Sequence, residues 1–301
     1  MLRLASVALL ALIPAVMTAT DPPLLTWDDL SARPRPSPDA TIAYGDDEMQ
    51  KVDVWVPKGA PASGASFPTV LMVHGGCWTT SIADRSLMNW IAGDLRAKGI
   101  AVWNIDYRGV DRPGGGYPGT FLDAAAAADA LAANAGRFHL DTSRIVAVGH
   151  SAGGHLALWL AARPKVPRDS PLRTAAALPI AHVISLGGLP DLEATAASPD
   201  NGCGVDVVVQ LVGAPGTRPD VYADTSVPRL LPIGVPQDLV NGREDRIIPV
   251  RFGTDYEAQA KKAGDTVALH FVPATGHVEL VTPDTNAWTE TVRLIRAAFA
   301  R

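Results

Sequence analysis

The sequence predicts an α/β protein with a mostly parallel central sheet covered by helices on both faces, and three observations carry that prediction. Short, continuously apolar runs alternate with helix-length segments, the pattern of strands buried on both faces. The chain has 301 residues, 47% of them hydrophobic and 19% charged, enough for one large buried core, and no repeat period divides it. Finally, Ile145 to Trp159 reads as a strand, a sharp turn at Gly149-His150-Ser151-Ala152-Gly153, and a helix.

Taken in order, Met1 to Thr20 holds one early cation, Arg3, then an apolar run to Met17 broken by Pro14. This is the layout of a secretory signal and is too short for a spanning helix, so a secreted or periplasmic mature chain without a membrane span is expected. Ala19 is small but Met17 is large, so the cleavage point is not fixed. Residues 21–45 read as a proline-rich leader: Pro22, Pro23, Pro34, Pro36 and Pro38 argue against a regular helix or central strand and for an extended surface path. Residues 46–301 form the expected single domain.

Lys51 to Pro57 alternates Val52, Val54 and Val56 with polar or aromatic residues, the signature of a strand near a sheet edge. Thr69 to Val73 is a buried strand ending in His74-Gly75-Gly76-Cys77-Trp78. A helix through Leu87, Trp90, Ile91 and Leu95 stops at Gly99, and Ile100 to Ile105 is the next strand. A glycine-rich loop, Gly109 to Gly119, precedes a helix over about Thr120 to Phe138. After the strand–turn–helix come strands at His182 to Leu186, Gln237 to Val240 and Val267 to Val272, with helices over about Val250 to Lys262 and Thr285 to Ala300. Between Pro190 and Pro236 no period is clear, and a segment of that length reads as an irregular lid or binding loop.

The chemistry centres on Ser151. Glycines at 149 and 153 let the backbone reverse and push the hydroxyl outward, and the amide of Ala152 opens a helix whose N-terminal donors favour developing negative charge. A serine hydroxyl needs a base and an orienting acid. Asp245 follows a strand in Asn241-Gly242-Arg243-Glu244-Asp245, and His277 follows the last strand in Thr275-Gly276-His277. Glu244 and Asp191 are rival acids; Asp245 has the matching loop position. Of the other histidines, His139, His182 and His270 read as structural, His155 as packing within a helix, and His150 as turned away from the chemistry. The amides of Gly76 and Cys77 complete an oxyanion hole with Ala152, while His74 holds the loop by hydrogen bonding.

Together HGGCW, DYR, GHSAGGHLA, NGREDRIIP and the final GH resemble the α/β-hydrolase superfamily: esterases of the hormone-sensitive-lipase type and, more closely, feruloyl-esterase and kynurenine-formamidase-like proteins. The resemblance covers roughly Val52 to Ala300 and implies the α/β-hydrolase fold, the Ser151–His277–Asp245 triad and hydrolysis of a small-molecule ester or amide. It departs at Cys77, where glycine or an aromatic residue is commoner. The rival readings are amide hydrolysis with the same triad and a noncatalytic binding protein on a hydrolase scaffold.

Two cysteines, Cys77 and Cys203, allow either one disulfide tying the 190–236 segment to the catalytic loop or two buried thiols. No HExxH, phosphate-binding loop or Cys/His cluster of ligand spacing occurs, so no metal or cofactor is expected. The net charge of -5 and the absence of a basic cluster argue against nucleic acid as a partner.

Overall fold

A computed structural model of the chain describes residues 23–61 and 66–300. The segment read as an export signal lies outside the described residues. Among them, eight strands form one sheet: β1 (Ala40–Ala43), β2 (Lys51–Trp55), β3 (Thr69–Val73), β4 (Ala101–Ile105), β5 (Ile145–His150), β6 (Ile180–Leu186), β7 (Gln237–Gly242) and β8 (Val267–Val272). Their spatial order is β1-β2-β4-β3-β5-β6-β7-β8, antiparallel through β1, β2 and β4 and parallel from β4 onward.

The apolar runs are explained by what covers them. Leu71, Val73, Ala147, Val183 and Leu239 face one core, closed by α3 (Gly119–Phe138), α4 (Ala152–Ala162) and α7 (Arg251–Ala263). Val70, Met72, Val146, Val148, Ile184 and Val240 face the other, closed by α2 (Asn89–Ala97) and α8 (Asn286–Ala300). Because strand side chains alternate between faces, both registers must be apolar.

Two sequence expectations change. The leader is not simply extended: α1 (Trp27–Ser31) forms within it, capped reciprocally by Thr26 and Asp29, and Leu30 is buried. Its prolines flank this turn of helix and none falls inside, so no interior amide is missing. β1 also arises in the leader and takes the sheet edge, so that β2 lies near the edge as expected, with Asp53 and Trp55 buried along with its valines. The 190–236 segment is irregular only in part: it contains α5 (Leu192–Ala196) and α6 (Val205–Val212), and Leu192, Val208, Leu211 and Val227 belong to the main core. α6 was hard to read because a run of valines also suits a strand; glycines at both ends, Gly204 and Gly213, delimit it.

That packing leaves α4 with no solvent face, since every residue from Ala152 to Ala162 is buried. A helix apolar all round must be covered all round. Cys77 and Cys203 form a disulfide, closing a separation of 126 residues; the chain-entropy account assigns such a loop about 4 to 5 kcal/mol.

Candidate active site

β5 delivers Ser151 at a corner with φ 54° and ψ -122°, a conformation L residues seldom adopt. The flanking glycines are sterically required. A Cβ at Gly149 would lie 2.0 Å from the Gly153 carbonyl oxygen, and one at Gly153 would lie 2.2 Å from that of Val73. Strand, turn and helix are thus in mutual backbone contact. Ser151 is 3% exposed, and its remaining surface opens into a cavity of about 410 Å³ that His277 also lines.

His277 sits in the loop after β8, and its Nδ1 lies 2.6 Å from Asp245 Oδ2. The other Asp245 oxygen accepts the amides of Ile247 and Ile248 at 2.8 and 2.9 Å, fixing the carboxylate. With Nδ1 engaged, Nε2 has no hydrogen-bond partner among the described residues. No hydrogen bond joins Ser151 Oγ to His277, although both side chains line the same cavity. The rival acids have other work: Glu244 accepts the amide of Thr275 at 3.0 Å, and Asp191 caps α5 through Ala194.

The loop after β3 packs directly against Ser151, where a Cβ at Gly75 would meet Ser151 Cβ at 3.0 Å. Gly76 and Cys77 line the cavity, and the amides of Gly76, Cys77 and Ala152 have no acceptor among the described residues. His74 holds the loop as expected, 2.9 Å from Asp106 and stacked on Tyr107. From the Gly109 to Gly119 loop, Asp111 accepts the amides of Thr80 and Ser81.

The remaining histidines divide clearly. His182 and His270 each contact Asp238 at 2.7 Å, and the carbonyl of His139, the left-handed cap of α3, accepts the Phe67 amide. His155 bonds the Thr225 carbonyl, and burial lowers its pKa to about 4. His150 is closer to the chemistry than the sequence suggests: its ring centroid is 4.4 Å from that of His277, and its Nε2 lies 3.2 Å from the His277 carbonyl. Burial, reinforced by His277, holds it well below the ordinary histidine range, so it stays neutral.

One wall of the cavity comes from α1, inside the segment that reads as a leader in the sequence. Trp27 of α1 stands edge-on to His150 and His277, with centroids 6.1 and 6.4 Å away, and Leu30 lines the cavity behind it. Glu279 ties this segment down, accepting the amide of Leu25 through one oxygen and that of Gly276 through the other. Arg33 adds a bond to the Pro283 carbonyl at 3.0 Å. The available signal was Thr26-Trp27-Asp28-Asp29, a capping-box spacing ahead of Leu30.

A family model, BD-FAE, matches residues 52–259. The chain belongs to the BD-FAE family. The matched span includes Ser151 and Asp245, while His277 lies beyond it. Esterase LipC of Mycobacterium tuberculosis is 27% identical over 242 residues, which are 78% of this chain and 58% of LipC. The isoprenylcysteine alpha-carbonyl methylesterase ICME of Arabidopsis thaliana is 29% identical over 117 residues, 39% of this chain and 26% of that protein. This BD-FAE chain therefore spans less than two thirds of either relative. Among solved structures, a truncated carbohydrate esterase from gut microbiota superposes with a TM-score of 0.72 at 18% identity, covering 89% of this chain and all of that one. A bacterial heroin esterase gives 0.65 at 23%, covering 86% and 82%. At such identities the likeness establishes the fold, which is the α/β-hydrolase fold.

Proposed function

We propose that this BD-FAE chain is a serine hydrolase that cleaves carboxylic esters of small substrates through an acyl-enzyme. The observation that carries the reading is the Asp245–His277 pair and the Ser151 hydroxyl meeting at one cavity beneath a loop of free amides. His277 Nε2 takes the Ser151 proton as Oγ attacks the ester carbonyl. The amides of Gly76, Cys77 and Ala152 receive the oxyanion, each such donor contributing about 3 to 4 kcal/mol to the transition state. Asp245 holds the imidazole in the tautomer with Nδ1 protonated and stabilises its charge. His277 returns the proton to the departing alcohol; water, activated by the same imidazole, then releases the acid. Neutral His150 beside His277 adds no positive charge to oppose this proton uptake.

A cavity of about 410 Å³ with walls of Trp27, Leu30, Leu87, Trp90 and Ile247 suits a small, largely apolar ester. Several relatives are named esterases, in agreement with this chemistry. The test is hydrolysis of p-nitrophenyl acetate by wild type and by Ser151→Ala, with formanilide as the amide arm. Ser151→Ala should lower kcat by about 10⁴- to 10⁶-fold; wild-type turnover in that variant would end the proposal. The export reading of Met1 to Thr20 carries a secreted or periplasmic location, checked by N-terminal sequencing of the mature protein.

A further inference from the structure

We propose that the Cys77–Cys203 disulfide positions the oxyanion hole, so that turnover depends on its oxidation state. The inference rests on the acyl-transfer reading above, in which the Cys77 amide is one of the oxyanion donors.

Gly76, Cys77 and Trp78 have consecutive positive φ values of 102°, 52° and 53°. For the two residues bearing a Cβ, left-handed backbone is disfavoured, and it persists only where the surroundings enforce it. The turn bonds Thr79 N to the Gly76 carbonyl at 2.9 Å and Thr79 Oγ1 to the Cys77 carbonyl at 3.0 Å. Trp78 is fastened by its fully buried indole. Cys77, which lines the open cavity, is fastened by the covalent bond to Cys203.

The far end of that bond is itself rigid. Asn201 is fully buried, its Oδ1 accepts the amides of Cys203 and Gly204 at 2.7 Å each, and its Nδ2 donates to the Thr195 carbonyl at 2.8 Å. Between them Gly202, at φ 75°, presses on the acid loop: a Cβ there would lie 2.2 Å from the Ile247 carbonyl oxygen. The amides of Ile247 and Ile248 are those that fix Asp245. The disulfide therefore joins the loop that receives the oxyanion to the turn that packs on the triad's acid. Reduction by a dithiol gives two protein thiols and the oxidised cyclic reagent, and it removes the covalent restraint on the Cys77 side chain, leaving the Thr79 hydrogen bonds alone to hold the turn that aims the amide.

The experiment compares oxidised wild type, dithiothreitol-treated wild type with thiols counted and fold checked by circular dichroism, and Cys203→Ser, all on p-nitrophenyl acetate. The expected result is a kcat at least tenfold lower in the last two, with KM within threefold of wild type. Activity should fall in proportion to thiols released, return on reoxidation, and be indifferent to dithiothreitol in Cys203→Ser. A kcat within twofold of wild type in reduced protein or in Cys203→Ser, with only thermal stability lowered, would reduce the bond to a structural staple and overturn the inference. So would two free thiols in denatured, unreduced protein. Oxidised wild type lacking Ser151-dependent hydrolysis would overturn the hydrolase reading and this inference together.

Discussion

Asp245 and Glu244 are chain neighbours with the same functional group, yet the backbone sends them in different directions. Asp245 reaches His277, and Glu244 reaches the amide of Thr275. The substitution Asp245→Asn should lower kcat on p-nitrophenyl acetate by about 10⁴-fold, because an amide in place of the carboxylate favours the wrong imidazole tautomer. Glu244→Gln should cost less than tenfold, since the amide oxygen still accepts from Thr275. Equal losses would show that the acid has been misassigned. At this scale Ser151, Asp245 and His277 stand out in the sequence as candidates, because each lies in a short pattern tied to a strand end. His150 was not: its place beside His277 depends on how the loop after β8 folds back over β5, and nothing adjacent to residue 150 encodes that.

The same limit governs α1. Pro34, Pro36 and Pro38 dominate the local reading, whereas what seats the helix is a long-range bond from Leu25 to Glu279 and the burial of Leu30. The strands of the sheet were read well because continuous apolar runs of that length have few alternatives, but β1, four residues with every second one exposed, carried no such signal. Since Trp27 forms a wall of the cavity, Trp27→Ala should raise the hydrolysis of p-nitrophenyl hexanoate relative to acetate, by about tenfold in the ratio of kcat/KM values. An unchanged ratio would place the acyl group elsewhere. Leu30→Ala should cost about 2 to 5 kcal/mol in denaturant unfolding through lost burial and the cavity left behind.

For the molecule as a whole, His155 joins α4 to the 190–236 segment. Its Nε2 bonds Thr225, and its ring lies edge-on to Trp78 and Phe121. Burial lowers its pKa from 6.5 to about 4, so the folded state favours the neutral ring. The unfolded chain binds this proton first: the contribution is full above pH 6.5 and is lost as pH falls toward 4. The shift corresponds to roughly 3 kcal/mol. Thermal midpoints measured from pH 7 to 4 should fall on the acid side, and His155→Gln, which keeps a donor for Thr225, should flatten that slope. An identical slope in the variant would assign the acid sensitivity to other groups.

The fully enclosed α4 has a kinetic corollary. The helix that follows Ser151 is covered on every side, so its amides meet water only when the elements packed around it come away. In deuterium exchange, the amides from His155 to Ala162 should be among the last to label, keeping pace with global unfolding. Agents that inactivate the protein by loosening its periphery would therefore spare the nucleophile's own support and act first on the walls around it.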